Sequence, residues 1–160
     1  MKILVLVRHA KSSWDHPELD DHDRPLNARG RRDAPEMGRR LRERGVVPDA
    51  IRSSTAVRAR TTAEAIVDAL GLGADAVVVD ERLYGSSPET ILGVVGELDD
   101  ALESAMVVAH DPGLSDLAYE LSGTIEHMPT CAVAEFRYQV ASWSELADAE
   151  PVETRLDTPR

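Results

Sequence analysis

Short apolar runs separated by longer amphipathic stretches form the main pattern of this chain. Runs at residues 3–7 (ILVLV), 76–79 (AVVV) and 105–109 (AMVVA) are rich in valine and too short for a typical helix, so they predict strands. The alternating residues 132–138 (AVAEFRY) predict a half-exposed strand, and residues 151–156 (PVETRL) predict an antiparallel edge strand. The continuously apolar strands, such as ILVLV, are expected at the centre of the sheet.

Helical segments lie between these runs. Residues 27–44 are expected to form a helix with Asn27 as its N-cap and Gly45 as its stop. Pro35 is then expected in the first turn or at a kink, because proline removes a backbone donor from a helix interior. These signals bound the first helix on both sides.

Three more helices are predicted further along the chain. Residues 55–70 carry apolar side chains at helical spacing, and residues 88–98 and 112–122 each have a proline near their start. Strands that alternate with helices predict an α/β fold, a three-layer α/β/α sandwich whose mostly parallel central sheet has an antiparallel edge strand. A chain of 160 residues with 42% hydrophobic content is expected to form one domain over residues 1–160.

Charge and cysteine content exclude several classes of partner and location. The formal net charge of -11 argues against binding to nucleic acid or an anionic membrane, because both need a basic surface. No segment has the roughly 18 apolar residues of a membrane span, and the apolar run after Lys2 lacks the pattern of a signal peptide. A single cysteine, Cys131, suits a reducing compartment, so we expect a cytoplasmic protein.

Polar side chains follow two of the apolar runs directly. Arg8 and His9 end the first run, and His110 ends the run at residues 105–109. A third junction between strand and helix places Arg58 about one turn inside a helix that Ser54 or Thr55 is expected to cap. Ligands of open α/β sheets bind past the carboxyl ends of the strands, where two histidines and two arginines would here form an anion site suited to phosphate.

Five segments carry a resemblance to a known family. They are V-R8-H9-A, R24-P-L-N-A-R-G30, S53-S54-T-A-V-R58-A-R-T-T62, E81-R-L-Y-G85 and V-V-A-H110-D-P. In their order and spacing, across about the first 115 residues, they resemble the histidine phosphatase superfamily, which is phosphoglycerate mutase-like, and within it the short SixA-type phosphohistidine phosphatases.

The resemblance implies a role for each matched residue. It implies a sheet of mixed direction flanked by helices, His9 as nucleophile, and Arg8, Arg58 and His110 as phosphate-binding groups. Glu81 resembles the residue that carries the acid in the mutases. Ala10 departs from the pattern, since the superfamily usually has glycine after the nucleophile, but alanine adds only a methyl group if φ is negative.

The chemistry also follows from the residues themselves. A neutral imidazole nitrogen of His9 would attack phosphorus and form a covalent phosphohistidine that water hydrolyses, while the arginines and His110 match the charge of the phosphoryl oxygens. This mechanism needs no metal and no cofactor. Glu81 would protonate a poor leaving group, but a phosphoramidate can take that proton from solvent. Arg24 would either hold phosphate or pair with the acidic loop beside it.

Other interpretations of single features stay open. Cys131 and Arg137 fit the C-x5-R spacing of cysteine phosphatases, but the segment lacks glycine and alternates like a strand, which favours a core thiol. The carboxylates and imidazoles of residues 15–23 (DHPELDDHD) suggest either a metal site or, preferably, a solvated loop. The pairs His22-Asp23 and His110-Asp111 resemble the His-Asp motif of metal-dependent phosphohydrolases, but those proteins are helical, whereas His110 follows a predicted strand. His127 is interpreted as structural.

The sequence therefore predicts a metal-independent phosphatase whose substrate is a phosphorylated histidine-containing protein. The alternative is a phosphatase for small phosphate monoesters, and the third option is a module that binds phosphorylated ligands without catalysis. Mutase activity is disfavoured because no lid is evident, and the crevice is expected to be open. A monomer is favoured.

Overall fold

Six strands form one mixed sheet in the structure, a computed structural model that describes residues 1–160. In chain order they are β1 (Lys2–Arg8), β2 (Ala50–Ser53), β3 (Val77–Val79), β4 (Ser104–Ala109), β5 (Val133–Tyr138) and β6 (Glu153–Asp157). Their order across the sheet is β3-β2-β4-β1-β5-β6. The first four strands pair in parallel, whereas β5 is antiparallel to β1 and β6 is antiparallel to β5. The predicted sheet, with an antiparallel edge strand, is confirmed.

Four α-helices cover the two faces of this sheet. They are α1 (Ala28–Glu43), α2 (Val57–Ala69), α3 (Pro88–Gly96) and α4 (Gly113–Ser122). One hydrophobic cluster joins α1 and α2 to one face, and a second joins α3 and α4 to the other, so the three-layer α/β/α architecture is confirmed. None of these helices has both the length and the apolar character needed to cross a membrane.

The central strand β1 contributes to both layers because its side chains alternate. Leu4 and Leu6 belong to the cluster under α3 and α4, while Val5 and Val7 belong to the cluster under α1 and α2. All four are 0% exposed, and burying such a side chain stabilises a fold by about 1.5–3 kcal/mol. The continuous run ILVLV therefore lies at the centre of the sheet, as predicted.

Strand β5 corrects one expectation, because the alternating pattern predicted a half-exposed strand and β5 is largely buried. Phe136 packs in the core under α3 and α4. Glu135, on the opposite face, is buried too and forms an ion pair with Arg44, the residue that follows α1. The polar position in the alternation therefore marks a buried ion pair and not contact with solvent.

The starts of two helices agree only in part with their sequence signals. Asn27 is the N-cap of α1, as predicted, and its side chain accepts a hydrogen bond from the backbone N–H of Gly30. Pro35, however, lies inside α1 beyond its first turn. Neither Ser54 nor Thr55 caps α2: the N-cap is Ala56, whose backbone N–H donates to Ser54 Oγ before the helix begins.

Candidate active site

The carboxyl ends of three adjacent parallel strands bring the predicted site residues together. His9 follows β1, Ser54 follows β2 and His110 follows β4. The backbone N–H of His9 donates to the carbonyl of Ala109 at 3.1 Å, and that of Ser54 donates to the carbonyl of Val108 at 3.0 Å. Sheet pairing therefore continues one residue past the ends of β1 and β2 and fixes the backbone positions of His9 and Ser54.

Hydrogen bonding fixes the tautomer of His9. Its Nδ1 lies 2.8 Å from the carbonyl oxygen of Ala10, which can only accept, so Nδ1 carries the proton and Nε2 keeps its lone pair. The backbone N–H of Ala10 donates in turn to Thr62 Oγ1. Burial lowers the pKa of His9 to about 3, and the charges of Arg58 and Arg8 act in the same direction. His9 is thus a neutral imidazole at neutral pH.

The ring of His110 lies beside that of His9, with ring centroids 5.1 Å apart. His110 Nε2 is 2.7 Å from Ser54 Oγ, while His110 Nδ1 is buried and has no hydrogen-bond partner. Burial, aided by the charge of Arg58, lowers the pKa of His110 to about 4. In the structure His110 is therefore neutral at neutral pH, with one ring nitrogen engaged by Ser54 and the other unengaged.

Two arginines complete this cluster. Arg58 is 6% exposed, and Arg8 donates to the carbonyl of Met128 at 3.0 Å while lying 3.6 Å from the Asp111 carboxylate. The Nε atoms of both arginines are buried without a hydrogen-bond partner, as is Nδ1 of His110. The charges of both arginines lower the pKa of His9 and of His110, so the two guanidiniums lie near the two rings. Two guanidiniums beside two imidazoles suit an anion that carries several acceptor oxygens.

Arg24 and Glu81, the two other predicted site residues, form no hydrogen bond or ion pair with His9, His110 or the two arginines. Arg24 is buried, forms an ion pair with Asp21 at 3.2 Å and lies 3.6 Å above the ring of Trp14. Of the two predicted roles for Arg24, the structure contains the pairing with the acidic loop. Glu81 is exposed in a short 3-10 turn, and its carboxylate forms no hydrogen bond and no ion pair. His127, interpreted as structural, is also exposed and lies 3.9 Å from Asp111.

The structure adds residues to the cluster that the sequence did not single out. Asp21 accepts from Arg58 Nη2 at 3.0 Å and from the Tyr84 hydroxyl at 2.7 Å. The Tyr84 ring lies edge-on to His110 on one side and to His22 on the other, with centroid distances of 5.5 and 4.9 Å. Asp21 and Tyr84 are both exposed. In the sequence, Asp21 and His22 could be noticed only because they lie in the segment DHDR, and Tyr84 only because it lies in the segment ERLYG.

Two glycines allow the close contacts that position this region. A Cβ atom on Gly30 would lie 2.2 Å from the carbonyl oxygen of Lys11, so glycine lets the first turn of α1 approach the segment after His9. A Cβ atom on Gly113 would lie 2.1 Å from the carbonyl oxygen of Ser86. The absence of a side chain at Gly113 therefore lets α4 pack against the turn that follows Tyr84.

The competing interpretations of single motifs find no support in the geometry. Cys131 is 0% exposed and burial raises the pKa of its thiol to about 12, which is unsuitable for a nucleophilic thiolate. Arg137 lies on β5 near Glu153, at 3.8 Å. No group of three or more His, Cys, Asp or Glu side chains is arranged to hold a metal ion. The carboxylate of Asp21, from the acidic loop, contacts arginines instead.

Comparison with known proteins agrees with this geometry. The family model of the histidine phosphatase superfamily (branch 1) matches residues 4–87. An uncharacterized protein of Mycobacterium tuberculosis is 38% identical over 156 residues, covering 91% of this chain and 92% of that protein. Among solved structures, one similar protein comes from Nakamurella multipartita and is described as a SixA phosphohistidine phosphatase. Its TM-score is 0.80 and its identity is 27%, and the match covers 99% of this chain and 96% of that protein. A protein from Agrobacterium tumefaciens with the same description has a TM-score of 0.76 and 28% identity, covering 84% and 91%.

These matches, together with the strand-end histidines and arginines, define the class. The chain belongs to the histidine phosphatase superfamily. Within that superfamily its likeness is to the SixA type, as the two solved structures above 25% identity indicate. The resemblance identified from the five sequence motifs is therefore confirmed.

Proposed function

We propose that this protein is a metal-independent phosphatase that removes the phosphoryl group from phosphohistidine on a protein through a covalent intermediate on His9. The observation that carries the proposal is the orientation of His9. Its Nδ1–H is held by a backbone carbonyl, so the nucleophilic lone pair on Nε2 is available beside His110. A binding module has no need of a nucleophile prepared in this way.

In the first step, His9 Nε2 attacks phosphorus and the bond from phosphorus to the leaving group breaks. The electron pair of that bond leaves with the departing imidazole, which takes a proton from solvent. Arg8 and Arg58 neutralise charge on the phosphoryl oxygens, and the N–H at Nδ1 of neutral His110 donates to one of them. The low pKa of His9 keeps the attacking nitrogen unprotonated.

In the second step, water attacks the phosphorus of phospho-His9 and the bond between phosphorus and Nε2 breaks. The electron pair returns to Nε2, the water loses one proton to solvent, and inorganic phosphate is the product. The same donors serve both steps because the phosphoryl oxygens stay in one site while only the apical groups exchange. Catalysis consists mainly of positioning and electrostatic stabilisation.

The location of Glu81 favours phosphohistidine over an ester as substrate. An alkoxide is a poor leaving group and needs an acid, whereas the imidazole of a phosphoramidate can be protonated by water. The Glu81 carboxylate is exposed and has no partner among the site residues. We propose that Glu81 assists only ester substrates, and that Arg24 acts on phosphate indirectly, through Asp21.

The first test is hydrolysis of a chromogenic aryl phosphate in the presence of a chelator. We expect activity to survive chelation and to be lost in His9→Ala. His16→Ala is the matched control, because the His16 side chain is exposed and lies 3.6 Å from the exposed carboxylate of Glu18. Activity that is abolished by the chelator, or that survives in His9→Ala, would contradict the mechanism. A chain that binds phosphate but hydrolyses nothing would be a binding module.

The second test separates protein substrates from small molecules. Rates are compared on a phosphorylated histidine-carrier domain and on a panel of sugar phosphates, with kcat/KM as the measure. We expect the carrier domain to be preferred. A clear preference for the panel would instead support the alternative, a phosphatase for small phosphate monoesters.

A further inference from the structure

A carboxylate of the protein itself lies on the arginine that the proposed function assigns to phosphate. Asp21 receives hydrogen bonds from both terminal nitrogens of Arg58: Nη1 donates to its backbone carbonyl at 2.7 Å, and Nη2 to its carboxylate at 3.0 Å. The carboxylate also accepts from the Tyr84 hydroxyl at 2.7 Å and from Arg24 Nε at 3.2 Å. Asp21 thus has the set of partners expected of a bound anion.

The two side chains of this ion pair differ in solvent exposure and therefore in their freedom to change conformation. Arg58 is the second residue of α2 and its side chain is only 8% exposed, so it has little room to move. The Asp21 side chain is 51% exposed and lies in a short 3-10 turn. If a second anion competes for Arg58, the carboxylate of Asp21 can rotate into water and be solvated there, whereas Arg58 stays in place.

Asp21 is charged throughout the working pH range. The hydrogen bond from Tyr84, together with Arg58, lowers the pKa of this carboxyl to about 2. A phosphoryl group that approaches His9 therefore meets an occupied guanidinium and a neighbouring negative charge. Both effects oppose binding until the carboxylate leaves.

We propose that Asp21 is an internal anion that holds Arg58 in the free protein and that the phosphoryl group of the substrate displaces. This inference rests on the proposed function and adds a control on the affinity of the same site. Rotation of the Asp21 side chain releases Nη2 of Arg58 and the Tyr84 hydroxyl, so that both can donate to the phosphoryl group, while Nη1 keeps its hydrogen bond to the backbone carbonyl of Asp21. The return of Asp21 competes with the product and so assists release of inorganic phosphate.

A purely positioning role for Asp21 predicts the opposite result on substitution. If Asp21 served only to orient Arg58, its removal would leave the guanidinium misplaced and would weaken anion binding. If Asp21 competes with the ligand, its removal strengthens anion binding, because the ligand no longer has to break an ion pair. The direction of the change therefore distinguishes the two roles.

The test measures tungstate affinity by titration calorimetry in the wild type, Asp21→Asn and Asp23→Asn. Asp23 is the matched control: it belongs to the same turn and carries the same charge, but its carboxylate lies 3.4 Å from His22 and contacts no arginine. We expect Asp21→Asn to bind tungstate about tenfold more tightly, the order of effect of one charged hydrogen bond. Asp23→Asn is expected to stay within about twofold of the wild type. Unchanged or weaker binding in Asp21→Asn would overturn the inference.

Thermal unfolding provides a second measurement on the same proteins. Without ligand, Asp21→Asn should unfold at a lower temperature than the wild type, since it lacks the internal ion pair. The rise in Tm on adding tungstate should be larger in Asp21→Asn, because the stabilisation from binding to the native state grows with the logarithm of the ratio of ligand concentration to Kd. A smaller or equal rise would count against displacement. Asp21→Ser is used in the same way if the asparagine variant does not fold.

Failure of the inference can be separated from failure of the proposed function. Wild-type protein that neither binds tungstate nor hydrolyses an aryl phosphate would contradict the proposed function itself. Wild-type protein that does both, with no gain of affinity in Asp21→Asn, would overturn only the role of Asp21. Inhibition by inorganic phosphate gives the matching kinetic readout, which we expect to become stronger in Asp21→Asn.

Discussion

Ser54 Oγ lies 2.7 Å from Nε2 of His110, and this contact decides which ring nitrogen of His110 can face a ligand as a donor. Because the pKa of His110 is lowered to about 4, the ring is neutral and carries one proton. If the Ser54 hydroxyl donates to Nε2, that proton resides on Nδ1, the buried atom that has no partner in the protein. In that tautomer His110 is a hydrogen-bond donor at Nδ1 without being a cation.

Ser54→Ala should therefore lower kcat/KM by about tenfold, the order of effect of one buried hydrogen bond. The tautomer of His110 is then no longer fixed, so the N–H at Nδ1 is lost in part of the molecules. Ser53→Ala is the matched control, since Ser53 is also fully buried but its hydroxyl donates to the Ser54 carbonyl. Equal losses in the two variants would indicate a general packing effect and contradict this role of Ser54.

Acid should destabilise the protein from about pH 6.5 downward, because two buried histidines are neutral in the folded state. His9 and His110 have folded-state pKa values of about 3 and about 4, below the value of about 6.5 expected for an unfolded chain. Between these limits the unfolded state binds more protons than the folded state, so stability is full above pH 6.5 and is lost as the pH falls toward 4. The loss amounts to at most about 1.4 kcal/mol per pH unit for each histidine.

The measurement is the free energy of unfolding by urea between pH 7 and pH 4.5 in buffer without phosphate. His110→Asn should make this pH dependence shallower, since one of the two buried imidazoles is removed. His16→Asn, which alters an exposed histidine, should leave the slope unchanged. A wild-type stability that is flat across this range would show that the two histidines are not buried as neutral rings.

The sequence predicted the central part of this fold because apolar pattern and strand ends coincide there. The runs that became β1 and β4 lead directly into His9 and His110, and the general rule for α/β sheets then places both at one edge. Strand β2 was less visible: its four residues, AIRS, have no continuous apolar run. Strand β5 was misjudged because Glu135 appears exposed in the pattern but pairs with Arg44, 91 positions away along the chain.

The partners of the arginines could not be predicted for a related reason. The acidic loop contains several carboxylates, and spacing alone does not show which of them reaches Arg58. Asp21 does so because Arg24 and Tyr84 hold it there, and Tyr84 comes from a turn 63 positions away. Contacts of this kind depend on how loops that are far apart in the sequence pack against each other. The hydrophobic pattern within one segment carries no information about that packing.

The role of Glu81 can be tested by comparing how much the Glu81→Gln substitution lowers kcat/KM on substrates with different leaving groups. Glu81→Gln should change kcat/KM on a phosphohistidine substrate by less than about twofold and should lower it more on an alkyl phosphate, whose leaving group needs a proton. Glu89→Gln serves as control, as an exposed carboxylate in the first turn of α3. Equal losses on both substrates would contradict a role limited to esters and would place Glu81 in the general mechanism.

Arg58 should prove to be one of the most sensitive positions for turnover. Arg58→Ala removes a buried guanidinium whose Nε has no partner in the protein, so we expect kcat/KM to fall about 100-fold or more, as when one preorganised donor is removed from an oxyanion site. Arg58→Lys should recover only part of that loss, because an ammonium is a point charge and cannot bind two oxygens in a planar fork.

The matched control for Arg58 is Arg60→Ala, two residues further along α2. Arg60 is exposed and lies 3.8 Å from Glu64 on the same helix, so its removal should leave both kinetics and stability nearly unchanged. Circular dichroism of Arg58→Ala checks that its fold is retained, because the same substitution also frees Asp21 and Tyr84. A folded Arg58→Ala enzyme with kcat/KM within twofold of the wild type would show that phosphate is held by other groups, and the site would have to be sought away from α2.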